Sequence, residues 1–253
     1  MPATEATAPP RLRWLTATVT DVIAETPRVK SLVLDVPQWP GHRPGQHVDV
    51  RLTGEDGYQA QRSYSIASAP EAGHLTLTVE RIEEGEVSPY LAGEVRSGDQ
   101  FELRGPIGGY FVWTVAAQGP LFLIAGGSGI VPLMAMLRHR AAASAVAPAH
   151  LLYSSRTFED IIYREELDRL IARRDGLEIV HTLTRRQPAG WSGAARRIDR
   201  AMLHDTGFAP SERPRTFICG PTQLVEYAAR TLQELGHEAS LIKTERFGPT
   251  GGI

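Results

Sequence analysis

Leu121-Phe122-Leu123-Ile124-Ala125-Gly126-Gly127-Ser128-Gly129-Ile130-Val131-Pro132 decides how this chain folds. Its first five residues form an unbroken apolar run, as expected of a strand buried on both faces of a parallel sheet. The glycines then turn the chain into a helix over 132–140, with Pro132 suited to the first turn. Glycine lets backbone approach a ligand closely, and the helix N-terminus presents free amides and a positive dipole end to a pyrophosphate. The pattern is neither G-x-G-x-x-G nor a P-loop, which would need a Lys-Ser/Thr pair. It points to dinucleotide binding; a tight strand–helix turn is the plainer alternative.

Towards the C-terminus, strands over 150–153, 177–183 and 216–218 alternate with helices over 159–173, 197–204 and 222–235. A last strand covers about 239–244. Such alternation implies right-handed crossovers and an α/β doubly wound five-stranded parallel sheet. Towards the N-terminus the rhythm is different. Short strands over 15–23, 30–36, 47–52, 62–67, 74–81 and 100–104 are separated by turn clusters such as Pro44-Gly45 and Ser97-Gly98-Asp99. One helix, 88–95, carries Ser88 as its cap and Pro89 at its first position. These features predict a two-domain chain: an antiparallel six-stranded β-barrel at 11–113, then the α/β domain at 120–253. A linker lies near 112–120, and residues 1–10 form a disordered tail.

In open parallel sheets, ligands bind beyond the strand C-termini at the switch point, so residues there are the candidates. Cys219-Gly220-Pro221 ends one such strand; a buried structural thiol is the alternative to a site. Glu245-Arg246-Phe247 closes the last strand and alone reads as a solvated end. Arg156, Tyr163, Thr184, Arg185 and Arg197 lie after the second and third parallel strands or on the helices following them. Guanidinium forks match phosphate oxygens and a tyrosine can stack on adenine, although such residues often serve as surface ion pairs, as Arg164 and Asp168 would. In the barrel, Arg62-Ser63-Tyr64-Ser65 alternates so that Arg62 and Tyr64 share one face. A cation, a ring and hydroxyls on one extended segment suit a phosphorylated planar ligand such as a flavin nucleotide. Gly85-Glu86-Val87-Ser88, ahead of the barrel helix, suits a second pyrophosphate or is simply a capped turn.

The 253 residues carry a formal net charge of -2 and one cysteine. That charge gives no electrostatic case for nucleic acid, and a single cysteine excludes an intrachain disulfide or a four-thiolate iron–sulfur or zinc site within these residues. No apolar run approaches the ~20 residues that span a bilayer, and the Ala/Thr/Pro-rich start is no secretory signal. A cytoplasmic protein with no membrane or nucleic-acid partner is expected, with no bound metal.

Taken in order, the motifs resemble the ferredoxin–NADP⁺ reductase superfamily over residues 11–253. They are Pro44-Gly45-Gln46, RSYS at 62–65, G-x-V-S at 85–88, GPIGGYF at 105–111, GGSGIVP at 126–132, CGP at 219–221 and ERFG at 245–248. The resemblance implies FAD as cofactor and NADPH, with NADH possible, as co-substrate. It implies that Arg62 contacts the flavin diphosphate, Tyr64 the isoalloxazine and ribityl region, and Ser65 the flavin nitrogen that accepts hydride. Val87 and Ser88 would hold the FAD pyrophosphate, and Gly126, Gly127, Ser128, Gly129, Ile130 and Pro132 would cradle the pyridine dinucleotide. Cys219, with Gly220 and Pro221, would flank the nicotinamide. Glu245 would sit beside the reacting rings, so that Ser65, Cys219 and Glu245 form the catalytic set. Phe247 would cover one flavin face. Arg156, Thr184, Arg185 and Arg197 would meet the 2′-phosphate, since no acid stands at 184 or 185 to favour a free ribose. The expected function is an FAD-dependent NAD(P)H oxidoreductase passing single electrons to a ferredoxin, a flavodoxin or an oxygenase component. Two alternatives are a flavin reductase that releases reduced flavin and a non-catalytic nucleotide-sensing or docking module.

Overall fold

A computed structural model describes residues 12–145 and 147–247. The expected tail at 1–10 and the glycine-rich end beyond Phe247 lie outside the described residues. The first half is a six-stranded antiparallel sheet of β1 (Leu15–Thr26), β2 (Val29–Asp35), β3 (His47–Thr53), β4 (Gln59–Ser65), β5 (Leu75–Glu80) and β6 (Gln100–Ile107), in the order β4-β3-β6-β1-β2-β5. Its two edges meet at a bridge between Ile66 and Leu77, beside a bond from the Ala67 amide to the Thr76 carbonyl (2.8 Å). The sheet thereby curls round one apolar core that includes Val48, Val50, Leu77 and Leu103. Helix α1 (Ser88–Gly93) adds Leu91 to that core.

The second half is a five-stranded parallel sheet of β7 (Leu121–Gly126), β8 (Ala149–Ser155), β9 (Leu177–Leu183), β10 (Arg215–Pro221) and β11 (Ile242–Phe247), ordered β11-β10-β7-β8-β9. Strand β7 is central and wholly buried. Leu121, Leu123 and Ala125 enter a core shared with α2 (Ile130–Ala142) and α3 (Arg164–Ala172). Phe122 and Ile124 enter the opposite core, under α4 (Arg200–Thr206) and α5 (Thr222–Glu234). A period-2 strand with both faces covered must be apolar throughout, which is why no alternation shows in its sequence. No helix of the described residues is long and apolar enough to cross a membrane.

Several elements differ from expectation for identifiable reasons. The helix expected at 159–173 is split. Asp160 accepts from the amide (3.1 Å) and hydroxyl (2.9 Å) of Thr157, closing a 3-10 turn over Phe158–Asp160. Tyr163 then takes a left-handed φ of 60° before α3 begins. Helix α4 starts at Arg200, where the Asp199 side chain accepts from Met202 N (2.9 Å). Arg197 therefore precedes the helix. Ser88 does not cap α1: Val87 holds that position, and the Ser88 hydroxyl accepts the Ile82 amide at 3.1 Å. Arg164 lies over the Phe158 ring (4.5 Å) and forms no ion pair with Asp168. Strand β11 runs to Phe247, placing Glu245 and Phe247 inside the sheet.

Candidate active site

The C-terminal ends of β7 and β10 are packed backbone against backbone. A Cβ on Gly129 would stand 2.1 Å from the Cys219 carbonyl oxygen, so only glycine lets the start of α2 press onto β10. Gly127 differs: its φ is +55°, and a Cβ there would meet nothing within 4 Å. The loop is thus closed against its own sheet on one side and open on the other, at the foot of a 13-residue helix. A group with a pyrophosphate fits such a cradle, because the first amides of a helix have no partner within it. Tyr153, deep in β8, supports the loop from below. Its hydroxyl donates to Gly127 O (3.1 Å) and accepts from Ile162 N (3.3 Å). Sequence reasoning passed over this residue; the signal was one tyrosine in an apolar strand, which needs a buried partner for its hydroxyl.

Cys219 and Glu245 are register partners on β10 and β11. Cys219 is fully buried, and burial pushes its thiol well above the usual range, with the Glu245 carboxylate adding to the effect. The thiol is neutral and suits a small flanking group; a nucleophile would require the thiolate. Burial pushes Glu245 up to about 7. Among the described residues its buried Oε2 has no hydrogen-bond partner, and such an orphan fits a bound group that offers a donor. Phe247 is half-buried and packs on the same core as Cys219 and Ala67.

At the ends of β8 and β9 the backbone places two arginines side by side. Arg185 N donates to Arg156 O (2.9 Å), and Thr184 bonds Ser155 O through its amide (3.0 Å) and its hydroxyl (3.2 Å). Ala194 bridges to Thr182, which carries the chain leading to Arg197 along β9. Arg156, Arg185 and Arg197 are exposed, and none forms an ion pair among the described residues, whereas Arg186 is held by Glu159 (3.3 Å). Tyr163 does not belong here. It is 2% exposed and donates to Thr78 Oγ1 (2.5 Å) in the barrel, which removes it as an adenine platform.

In the barrel, Arg62 and Tyr64 stand opposite Val50 and Val48, on the face towards the core, while Ser63 donates to Asp49 (2.6 Å) on the other face. Tyr64 packs on the barrel core, and burial raises its phenol above the ordinary range. Ser65 is buried at the strand end. Arg62 projects from an edge strand and pairs with Glu86 (2.6 Å), which also accepts from the Tyr58 hydroxyl (2.7 Å). Both side chains of the pair are about half exposed, at 55% and 46%. Such a pair contributes little and yields readily to a stronger anion. An exchangeable guanidinium on an open strand edge, one residue from Val87 through Glu86, fits a diphosphate-bearing cofactor. Glu86 stands inside G-E-V-S, where sequence pattern alone gives no sign that it pairs with Arg62 across 24 positions. Among the described residues no hydrogen bond joins this set directly to Cys219 or Glu245. Contacts between the halves include Ala67 and Thr78, bonded from Arg138 and Tyr163, the His139–Glu71 pair, and Phe111 edge-on to Phe217.

A curled antiparallel sheet whose edge suits a diphosphate-bearing cofactor, beside a parallel sheet whose glycine loop suits a dinucleotide, fits one class: the two-domain flavin- and nicotinamide-dependent oxidoreductases. Comparison with known proteins agrees. Residues 16–112 match the oxidoreductase FAD-binding domain family, and residues 123–230 match the oxidoreductase NAD-binding domain family. The glycine betaine monooxygenase reductase subunit of Pseudomonas aeruginosa is 33% identical over 212 residues, covering 82% of this chain and 57% of that one. NADH-cytochrome b5 reductase 1 of Aspergillus terreus is 30% identical over 201 residues, covering 76% and 67%. The flavohem-like FAD/NAD-binding domain of nitric oxide dioxygenase from Vibrio cholerae superposes with a TM-score of 0.81 at 26% identity, covering 93% and 99%. The chain spans 57–63% of the length of the monooxygenase reductase subunits it matches. This chain belongs to the ferredoxin–NADP⁺ reductase superfamily and carries both its FAD-binding and its NAD-binding domain.

Proposed function

We propose that this protein oxidises NADPH, in preference to NADH, and hands the electrons singly to a separate acceptor, either an oxygenase component or a small carrier such as a ferredoxin or flavodoxin. FAD, when bound, supplies acceptance of a hydride and release of single electrons. The residues of this chain bind, orient and hold protons around that chemistry. Arg62 neutralises the flavin diphosphate, with Val87 and Ser88 beside it. Tyr64 lays its ring along the flavin, and Ser65 offers a hydroxyl at the reacting edge. The loop from Gly126 to Pro132 holds the dinucleotide. Cys219, Gly220 and Pro221 bound the nicotinamide as a neutral wall, and Phe247 covers a ring face. Glu245, with its carboxyl near 7, holds or releases a proton at Oε2 around neutrality.

The preference for NADPH rests on one observation: the backbones of Arg156 and Arg185 are held side by side by a hydrogen bond, and neither side chain forms an ion pair among the described residues. Two free guanidinium forks suit a phosphate dianion. The NADH named for the cytochrome b5 reductases supports the second reading, in which these arginines meet only the pyrophosphate. A separate acceptor is supported by the reductase-subunit name of the monooxygenase relatives and by the single cysteine, which leaves no four-thiolate cluster within these residues. Stopped-flow bleaching of the FAD-loaded protein by each nucleotide tests the activity, and no bleaching by either would end the proposal. Arg185→Ala is expected to raise KM for NADPH about tenfold or more, one charged hydrogen-bonding group being worth ~1.5–3 kcal/mol, with little effect on NADH. Equal effects on both would refute the phosphate assignment.

A further inference from the structure

We propose that Arg138 is a positioning residue for hydride transfer, setting the register between the segment that carries the flavin and the helix that carries the nicotinamide loop. The inference rests on the function proposed above. Arg138 lies on α2, the helix that begins at the glycine loop. Its Nη1 crosses to the barrel and donates to the carbonyl of Ala67 (2.8 Å), two residues beyond Ser65. Among the described residues no other arginine bonds a backbone carbonyl across the two halves.

The guanidinium is fixed from three sides. Nε and Nη2 grip both carboxylate oxygens of Glu166 on α3 at 2.8 and 2.6 Å, which defines the plane of the fork. One face rests over the Tyr163 ring at 4.9 Å. Tyr163 carries the second tether across the interface, its hydroxyl donating to Thr78 Oγ1 on β5. That oxygen lies 2.8 Å from Ser31 Oγ, which donates to Glu25 Oε1 at 2.6 Å. Three hydroxyls ending on an acceptor-only carboxylate give the chain one direction, with Tyr163 as its first donor. A cavity of about 850 Å³ opens beside this cluster, lined in part by Glu25, Arg138 and Glu166. The adjoining His139 meets Glu71 at 2.7 Å, but the Glu71 side chain is 43% exposed and the contact is weaker. Arg138 and Glu166 are only 21% and 29% exposed.

The mechanical path is short and stiff. From Arg138 back to Ile130, α2 spans about 12 Å of continuous helix. From Ala67, the strand segment is pinned by its bond to Thr76 and by the bridge at Ile66. Hydride transfer needs the reacting atoms near ~3–3.5 Å, and a misplacement of ~1 Å can cost ~100-fold. An arginine joining these two rigid parts therefore acts on rate more than on affinity.

The test uses FAD-loaded protein with Arg138→Met, Arg138→Lys and the double variant Arg138→Met/Glu166→Met. The double variant removes both charges of the pair, so Glu166 is not left as an unpaired carboxylate. Glu25 loses the nearby Arg138 charge but keeps its bond from Ser31. A melting curve for each variant checks that it is folded. Two quantities are read: the rate of flavin bleaching at saturating nucleotide, and hydrogen exchange of segments 65–68 and 127–131 in the flavin-free protein. The expected result is a rate at least about tenfold lower in both methionine variants, KM within about twofold of the original, an intermediate rate for Arg138→Lys, and faster exchange in both segments. A double variant that regains the original rate, or unchanged exchange, would overturn the proposal and leave Arg138 as an interface anchor. If the unmodified protein is not bleached by either nucleotide, the functional reading fails, and the exchange result still decides the tether.

Discussion

At the scale of single residues, Glu245 carries the chemistry most open to measurement. Burial moves its carboxyl from 4.5 to about 7. A carboxyl raised on folding binds its proton more tightly in the native state, so the stability it allows is greatest below about 4.5 and is lost as pH climbs through 7. The displacement corresponds to about 3 kcal/mol once the group is fully ionised. Glu245→Gln is therefore expected to be more stable than the original protein at pH 8 and little different at pH 5, as read from urea denaturation at the two values. A variant that is equally stabilising at both would show that Glu245 is not the ionising group. The same carboxyl faces the Cys219 thiol across one strand pair, and the two disfavour each other's charge. Below about pH 7 both groups are uncharged, and above it the Glu245 carboxylate keeps the Cys219 thiol protonated.

At the scale of elements, the loop between β7 and α2 shows why two neighbouring glycines are not equivalent. Gly127 needs its left-handed backbone but has space around it, so alanine there costs about 1 kcal/mol. Gly129 has no space: a methyl would enter the Cys219 carbonyl. Gly129→Ala is expected to cost about 2 kcal/mol or more and to weaken nucleotide binding, whereas Gly127→Ala leaves a folded protein. Melting temperature and nucleotide titration separate the two cases. The shape of this loop was legible in the sequence because an unbroken apolar run followed by glycines marks a buried strand turning tightly into a helix. The RSYS segment was legible too, since alternation assigned its faces correctly. What stayed hidden depended on contacts distant in the chain. Ser88 looked like a cap, but the free Ile82 amide captured its hydroxyl. Tyr163 looked like a surface ring beside phosphate-binding arginines, but its left-handed turn drives it into the barrel, 85 positions from its partner Thr78. Local pattern carries no information about which hydroxyl a buried phenol will find.

At the scale of the whole molecule, the halves differ in how they are built. The barrel encloses one core, and the parallel sheet separates two. Strand β7 feeds both of the latter, so a one-residue slip would exchange Phe122 and Ile124 for Leu121, Leu123 and Ala125. The segment joining the halves belongs to neither category of loop or spacer. Phe111 and Trp113 are buried in the core under α2, where Phe111 meets Phe217 edge-on at 5.3 Å, and the Trp113 amide bonds Pro44 O (3.3 Å).

That anchoring changes where the molecule can be cut. A fragment beginning at 120 lacks two aromatic side chains from the interior of the nucleotide half, leaving a void of the kind that costs about 3–5 kcal/mol for each large ring removed. A fragment beginning at 109 keeps them. The shorter piece is expected to aggregate on expression and the longer one to give a dispersed amide spectrum. The inheritable cassette would then start inside the connector, and a chimera that grafts this nucleotide half onto another barrel should bring Tyr110–Pro120 with it.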